Sequence, residues 1–246
     1  MIWVKKANKI GCINMNLPKL RSIEIPELGR FYESPTSGDW YPSVTTVTGF
    51  EKKEFWAKWR SDPKNMAISQ QSISRGNKLH EIAEAYLKQD HAMIKAAPLG
   101  DKTLFMLIKK NLDKITNIYG QEQPLWSDTL RLAGRFDCIA DYDGEISIID
   151  FKSSRREKRK SDIENYFQQA CAYAHMWLEC TGQKKLPRTV ILIACDSGVD
   201  QEFIEDSKKA REGLKNAINL YWTHTNFEEL QERIKNELAK ETIVVG

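Results

Sequence analysis

The chain has 246 residues, enough for one full hydrophobic core, and its 41% hydrophobic and 29% charged content is an ordinary globular balance. No apolar run approaches the roughly 20 residues of a membrane helix, and no apolar segment of the signal-peptide kind stands near the start, so no membrane partner is expected. A net charge of +3 does not by itself announce nucleic acid, so the distribution of charge has to carry that question.

Five cysteines, Cys12, Cys138, Cys171, Cys180 and Cys195, form no CxxC pair. Their spacing argues for a reducing compartment and against a disulfide framework, a zinc site or an iron–sulfur cluster. Lys5, Lys6, Lys9, Lys19 and Arg21 precede the first acid, Glu24. A mitochondrial presequence reads somewhat like this, usually with more Arg and Ser. An intracellular, cytoplasmic location is therefore expected, with the mitochondrial matrix as the alternative.

In chain order, residues 41–47 read as a loop opening into a short helix, with Ser and Thr available to cap backbone N–H groups. Residues 51–60 read as a second short helix carrying Phe55, Trp56 and Trp59. Those tryptophans can stack on unpaired bases, but such residues more often anchor a helix to the core, and core is the expectation. Longer helices are predicted over 72–87 and 101–119. The period then changes. Residues 130–141 and 145–152 read as strands joined by Asp143-Gly144, a strong two-residue hairpin signal. A helix over 161–180 and an apolar strand over 189–195 follow. Two amphipathic helices, near 203–222 and 227–240, finish the chain, and Asn226 with Glu229 three residues on resembles the capping arrangement of the last one. This order implies an α/β fold with a central mixed sheet flanked by helices. We expect one domain over 1–246, with an extension over 1–40, a core over 41–195 and C-terminal helices over 196–246.

The hairpin carries the chemistry. With Asp143 and Gly144 in the turn, Tyr142 faces Glu145, Ile139 faces Ile148, and Asp137 falls opposite Asp150. Direct partners have Cβ atoms roughly 4.5–5.5 Å apart on one sheet face, and Lys152 points to that face too. The neighbours are apolar, so the hairpin is expected to be central and buried. Two carboxylates facing each other there repel by roughly 4 kcal/mol at about 4 Å. Shared protonation or a cation relieves that, and a hard divalent ion, magnesium or manganese, suits two carboxylates best. An ordinary hairpin with structural Asp–Lys pairs is the competing reading.

Two helices add to the hairpin. Gly76, His80 and Glu84 lie four residues apart on one helix stripe, where His80 is either an imidazole ligand or an ordinary helix histidine. On the helix after the hairpin, Gln169 and Tyr173 are an i,i+4 pair able to orient a water or a phosphate oxygen. The run from Lys152 to Lys160 holds six basic residues against one acid. It either binds phosphates or forms a solvated loop.

Taken together, GRFD at 134–137, DFK at 150–152, GNKLHEIAE at 76–84 and QACAY at 169–173 resemble the RecB-like branch of the PD-(D/E)XK nuclease superfamily. The resemblance covers about residues 40–195. YPSVTTV at 41–47, followed by the Trp-containing helix, is also similar to the mitochondrial genome maintenance exonucleases and their phage-encoded relatives.

The resemblance implies a restriction-endonuclease-like core with extra N- and C-terminal helices. It implies a Mg2+- or Mn2+-dependent exonuclease working from free ends of single-stranded DNA in replication, recombination or repair, in a bacterial or phage-infected host. Asp137, Asp150, His80 and the Phe151 carbonyl would hold the metal, with Glu84 as a further ligand or a support. Lys152 would be the catalytic lysine, with Gln169 and Tyr173 completing the site. Ser43, Thr45, Arg75, Arg155 and Arg156 are the candidate DNA contacts. Phe136 stands where the family's motif has Pro. The four-cysteine iron–sulfur motif of some relatives is absent, so no cluster is expected. No Walker motif appears either, so any unwinding would belong to a helicase or other replication or recombination partner. A structure-specific endonuclease is the first rival, and a catalytically inactive DNA-binding module the second.

Overall fold

A computed structural model describes residues 17–244. Cys12, Lys5, Lys6 and Lys9 lie outside the described residues.

The centre is a five-stranded mixed sheet in the order β4(Ile115–Ser127), β5(Leu132–Tyr142), β6(Glu145–Ser154), β7(Arg188–Cys195), β8(Asp200–Glu205). Only β6 and β7 run parallel. The helix α6(Glu164–Thr181) connects them, as a parallel pair requires a crossover. The expected hairpin is present. Asp143 and Gly144 both take positive φ, 48° and 78°, as the tight primed turn demands. Pairing runs from Tyr142–Glu145 through Ile139–Ile148 to Cys138–Ile149.

Alternate residues of the inner strands face two different cores. Ile139, Ile148, Ile191 and Ile193 pack with α6 and with α1(Val44–Thr48). Cys138, Ile149, Phe151 and Leu192 pack on the other face against α3(Pro63–Leu87) and α5(Leu99–Leu112), the latter following a short α4(His91–Ala96). Both faces being covered, the strands read as near-continuous apolar runs rather than alternating ones.

Several elements differ from expectation. The helix predicted to reach residue 119 stops at Leu112, where Asp113 N–H bonds the Lys109 carbonyl, and β4 begins at Ile115. Leu104, Ile108, Leu112, Ile115 and Ile118 are spaced three or four apart, which mimics a helix. Register shifts near Ile118 break the strand's alternation and complete the disguise. The helix predicted from 203 begins later, because Asp200–Glu205 forms the polar edge strand β8. Asp206 then caps a short turn leading into α7(Arg211–His224). The α3 helix starts at Pro63, nine residues before the predicted start, with Asp62 as cap and Pro at its first turn. Its first half buries no side chain and therefore shows no hydrophobic period.

The described start of the chain forms a small antiparallel sheet, β1(Ser22–Ile25), β2(Gly29–Glu33) and β3(Trp40–Pro42), which stands in front of the expected helices. The last helix, α8(Phe227–Val244), covers it with Leu230 and Ile234 against Ile23, Ile25, Phe31 and Trp40. Asn226 accepts from the Glu229 N–H at 3.1 Å, as its spacing suggested. Asp128, at the turn between β4 and β5, accepts from Ser34, Ser37 and Tyr41 and so ties the small sheet to the large one.

Candidate active site

Between the two sheets lies a cavity of about 780 Å³ whose lining includes Ser43, Thr45, His80, Glu84, Glu122, Arg135, Asp137, Asp150, Lys152, Gln169 and Tyr173. The β5–β6 ladder ends at Cys138–Ile149, one pair before the two acids. Beyond that point a side chain replaces the backbone ladder: the Phe151 N–H donates to Asp137 Oδ2 at 2.8 Å. The strands part there, and the acids line the opening.

Lys152 Nζ donates to Asp150 Oδ1 at 2.6 Å, while Asp150 Oδ2 is buried without a partner among the described residues. Burial pushes the Asp150 carboxyl up to about 6, with Lys152 pulling against it and Asp137 adding to the rise. Burial works against the charge on Lys152 as well, but Asp150 and Asp137 outweigh it and hold the ammonium above its ordinary value. The Lys152 ammonium also sits 5.2 Å from the centre of the Tyr166 ring.

From α3, His80 Nε2 donates to the Phe151 carbonyl at 2.7 Å, since a carbonyl can only accept. Its Nδ1 then faces Asp137 Oδ1 at 3.5 Å and Glu122 Oε1 at 3.7 Å. Burial disfavours the imidazolium, yet Asp137 and Glu122 together raise the His80 pKa. The site therefore draws positive charge. His80, Glu122 and Asp137 each offer a donor atom, all within 4.8 Å of one another. Carboxylate oxygens with one imidazole nitrogen suit a divalent ion, and Asp150, with its unpartnered oxygen, lines the same cavity.

Glu122 and Arg135 escaped the sequence reading. Gln121 pairs with Cys138 and Gln123 with Phe136, so Glu122 lies beside Asp137, with a positive φ of 49°. Once β4 is known as a strand that position follows; without β4 nothing marks it. Arg135 Nε donates to Glu122 Oε2 at 2.9 Å. Glu84, the carboxylate expected here, also lines the cavity but is ion-paired with Lys88.

Supporting side chains explain the rest of the motifs. Tyr173 OH donates to the Arg135 carbonyl at 2.9 Å, and Gln169 Nε2 donates to Thr48 Oγ1 at 3.3 Å, tying α6 to β5 and to α1. Ser43 accepts from the Thr46 N–H and caps α1 at the cavity rim. A Cβ on Gly134 would stand 2.7 Å from the buried Tyr173 hydroxyl. Gly134→Ala is accordingly expected to destabilise the protein by about 1–3 kcal/mol through overcrowding. Thermal unfolding checks this, and an unchanged midpoint would remove the packing argument.

Three candidate DNA contacts lie elsewhere. Arg75 is ion-paired with Asp196 and lines a second cavity of about 430 Å³. Arg155 and Arg156 are exposed on the loop after β6, outside the carboxylate cavity. That loop is pinned, since Gln201 bonds both the N–H and the carbonyl of Lys158.

A half-buried lysine beside paired acids thus lies with an imidazole and a third carboxylate where two strands part. The sequence profile of the PD-(D/E)XK nuclease superfamily matches residues 55–243, well over half of the chain, and the chain belongs to that superfamily. Among solved structures it is similar to a candidate exonuclease from Eubacterium rectale, at 12% identity and a TM-score of 0.41. That match covers 60% of this chain and spans 63% of the other. No curated protein matches the sequence. Among the described residues no helix is long and apolar enough to cross a membrane.

Proposed function

We propose that the chain is a metal-dependent DNA exonuclease of the RecB-like branch, acting on free ends of single-stranded DNA in replication, recombination or repair. The observation that carries the metal half of this reading is the convergence of His80, Glu122 and Asp137 beside the Lys152–Asp150 pair. His80, Asp137, Asp150 and the Phe151 carbonyl, joined by Glu122, would hold magnesium or manganese. Such an ion supplies Lewis acidity toward a phosphate and lowers the pKa of a bound water.

The chain's own groups do the remaining work. Lys152 stays charged beside Asp150, placed to orient a water and to offset negative charge developing on the phosphate. Tyr173 and Gln169 hold β5 and α1 about the site and so fix the acids relative to the rim. Ser43 and Thr45 present hydroxyls at that rim, and Arg135, exposed beside Glu122, offers a cation to a phosphate.

The preference for ends is supported by the resemblance of residues 41–59 to end-dependent exonucleases. Linear and circular DNA, single- and double-stranded, with and without EDTA, separate the possibilities. Linear single strands are expected to be degraded and circles to survive, with EDTA stopping the reaction. Rapid cleavage of circles would make the protein an endonuclease, and cleavage in EDTA would remove the metal.

A further inference from the structure

The helix predicted to bury its tryptophans does not. It is α2(Lys53–Arg60), and it has no buried residue. Phe55 is 61% exposed and Trp56 43%, and Trp59 beside them is half-buried. Large aromatics are usually buried, which is why core was expected, but among the described residues nothing packs over this helix to bury Phe55 and Trp56. Among the described residues, half of the large apolar side chains left exposed fall on α2 and the first half of α3: Phe55, Trp56, Met66 and Ile73. The rings are coupled edge to face, Phe55 to Trp56 at 5.1 Å and Trp56 to Trp59 at 5.7 Å between centroids. Contiguous exposed apolar surface of this kind marks a place that something else covers.

Charge and position say what. Between Glu51 and Lys78 seven basic residues stand against three acids; Arg75 and Lys78 are ion-paired with Asp196 and Glu81, which leaves Lys52, Lys53, Lys58, Arg60 and Lys64 as the cations beside the rings. The chain leaves the rim of the carboxylate cavity at Thr46 and returns to it at Asn77, both of which line that cavity. The helical hairpin between them is rooted at both ends on the candidate active site. Aromatic rings interleaved with cations match a single nucleic-acid strand, whose bases offer open faces and whose phosphates seek positive charge. A duplex hides its base faces in the stack. An apolar protein partner would account for the rings and leave the charge unexplained.

We propose that Phe55, Trp56 and Trp59 form a stacking platform for the unpaired bases of a strand entering the carboxylate cavity, with the basic residues of the same hairpin holding its phosphates. This rests on the nuclease reading above and deepens it by assigning where the single strand is gripped.

The test uses the full chain in an Asp150→Asn background, which is intended to keep the DNA whole. Fluorescence anisotropy compares an oligothymidylate with an abasic oligonucleotide of equal length and charge. The base-bearing strand is expected to bind roughly tenfold or more tightly than the abasic one, the size that loss of base–aromatic stacking implies. Replacing all three rings by Ala should erase that difference and leave the slope of affinity against salt unchanged, because phosphate contacts set the slope. Trp56→Phe, which keeps a ring, should retain most of the difference, and circular dichroism checks the fold of each variant. A triple variant that still tells base-bearing from abasic DNA overturns the proposal, as does an equal loss on duplex. Binding of α2 to anionic vesicles with oligonucleotide affinity untouched would assign the helix to a lipid surface instead. Cleavage by the Asp150→Asn protein would sink the nuclease site without touching this result, which is read from binding alone.

Discussion

Asp150→Asn is expected to reduce DNA cleavage on the order of a thousandfold or more while leaving the fold intact. Asn keeps the shape of the side chain and one acceptor for Lys152, so the packing of β6 against β7 has no reason to change. What disappears is the negative charge that balances Lys152 and that the proposed cation site would use. A fully active variant would remove Asp150 from the reaction. The same substitution makes a signed statement about pH in metal-free protein. Burial raises the Asp150 carboxyl to about 6, so the folded state takes up its proton before the unfolded state does. Stability from this group is therefore gained as pH falls from 7 towards 5 and lost as pH rises through 6. Unfolding curves in EDTA should show the wild-type protein gaining on the Asn variant over that window. Parallel curves would mean that Asp150 does not titrate there.

Glu122→Gln is expected to raise the manganese concentration needed for half-maximal cleavage by about ten- to a hundredfold. Calorimetric titration of manganese in the absence of DNA gives a readout independent of activity. Glu122 lies 3.7 Å from His80 Nδ1 and pairs with Arg135 at 2.9 Å, so it stands between the proposed cation site and an exposed guanidinium. Gln retains the shape and an oxygen but surrenders the charge on both sides. An unchanged manganese titration would reduce Glu122 to a partner of Arg135.

How much of this was legible depended on whether the relevant contact was local. Asp143-Gly144 dictates a two-residue turn, and that turn fixes which residues face each other as far as Cys138 and Ile149. The fourfold spacing of a helix puts Gly76, His80 and Glu84 on one stripe, and Gln169 with Tyr173 on another. Those relations need only the geometry of one element. Gly134 is a contrary case within a recognised motif, because its necessity comes from a tyrosine hydroxyl thirty-nine residues away.

The sequence by itself determined the hairpin, the acids and lysine it carries, and the apolar strands that make its sheet central. Each follows from a turn or a period written into adjacent residues. Only the tertiary structure decided that β4 is a strand, since its bulges erase the period of two and its ladder to β5 supplies the missing stabilisation. With β4 came Glu122, which has no local signature and becomes a site residue only by lying beside Asp137. Tertiary structure likewise decided that His80 reaches the acids while Arg75, five residues earlier on the same helix, turns to Asp196. It left Trp56 in solvent as well. A ring's burial depends on whether another element arrives to cover it, and no pattern within eight residues of one helix can state that.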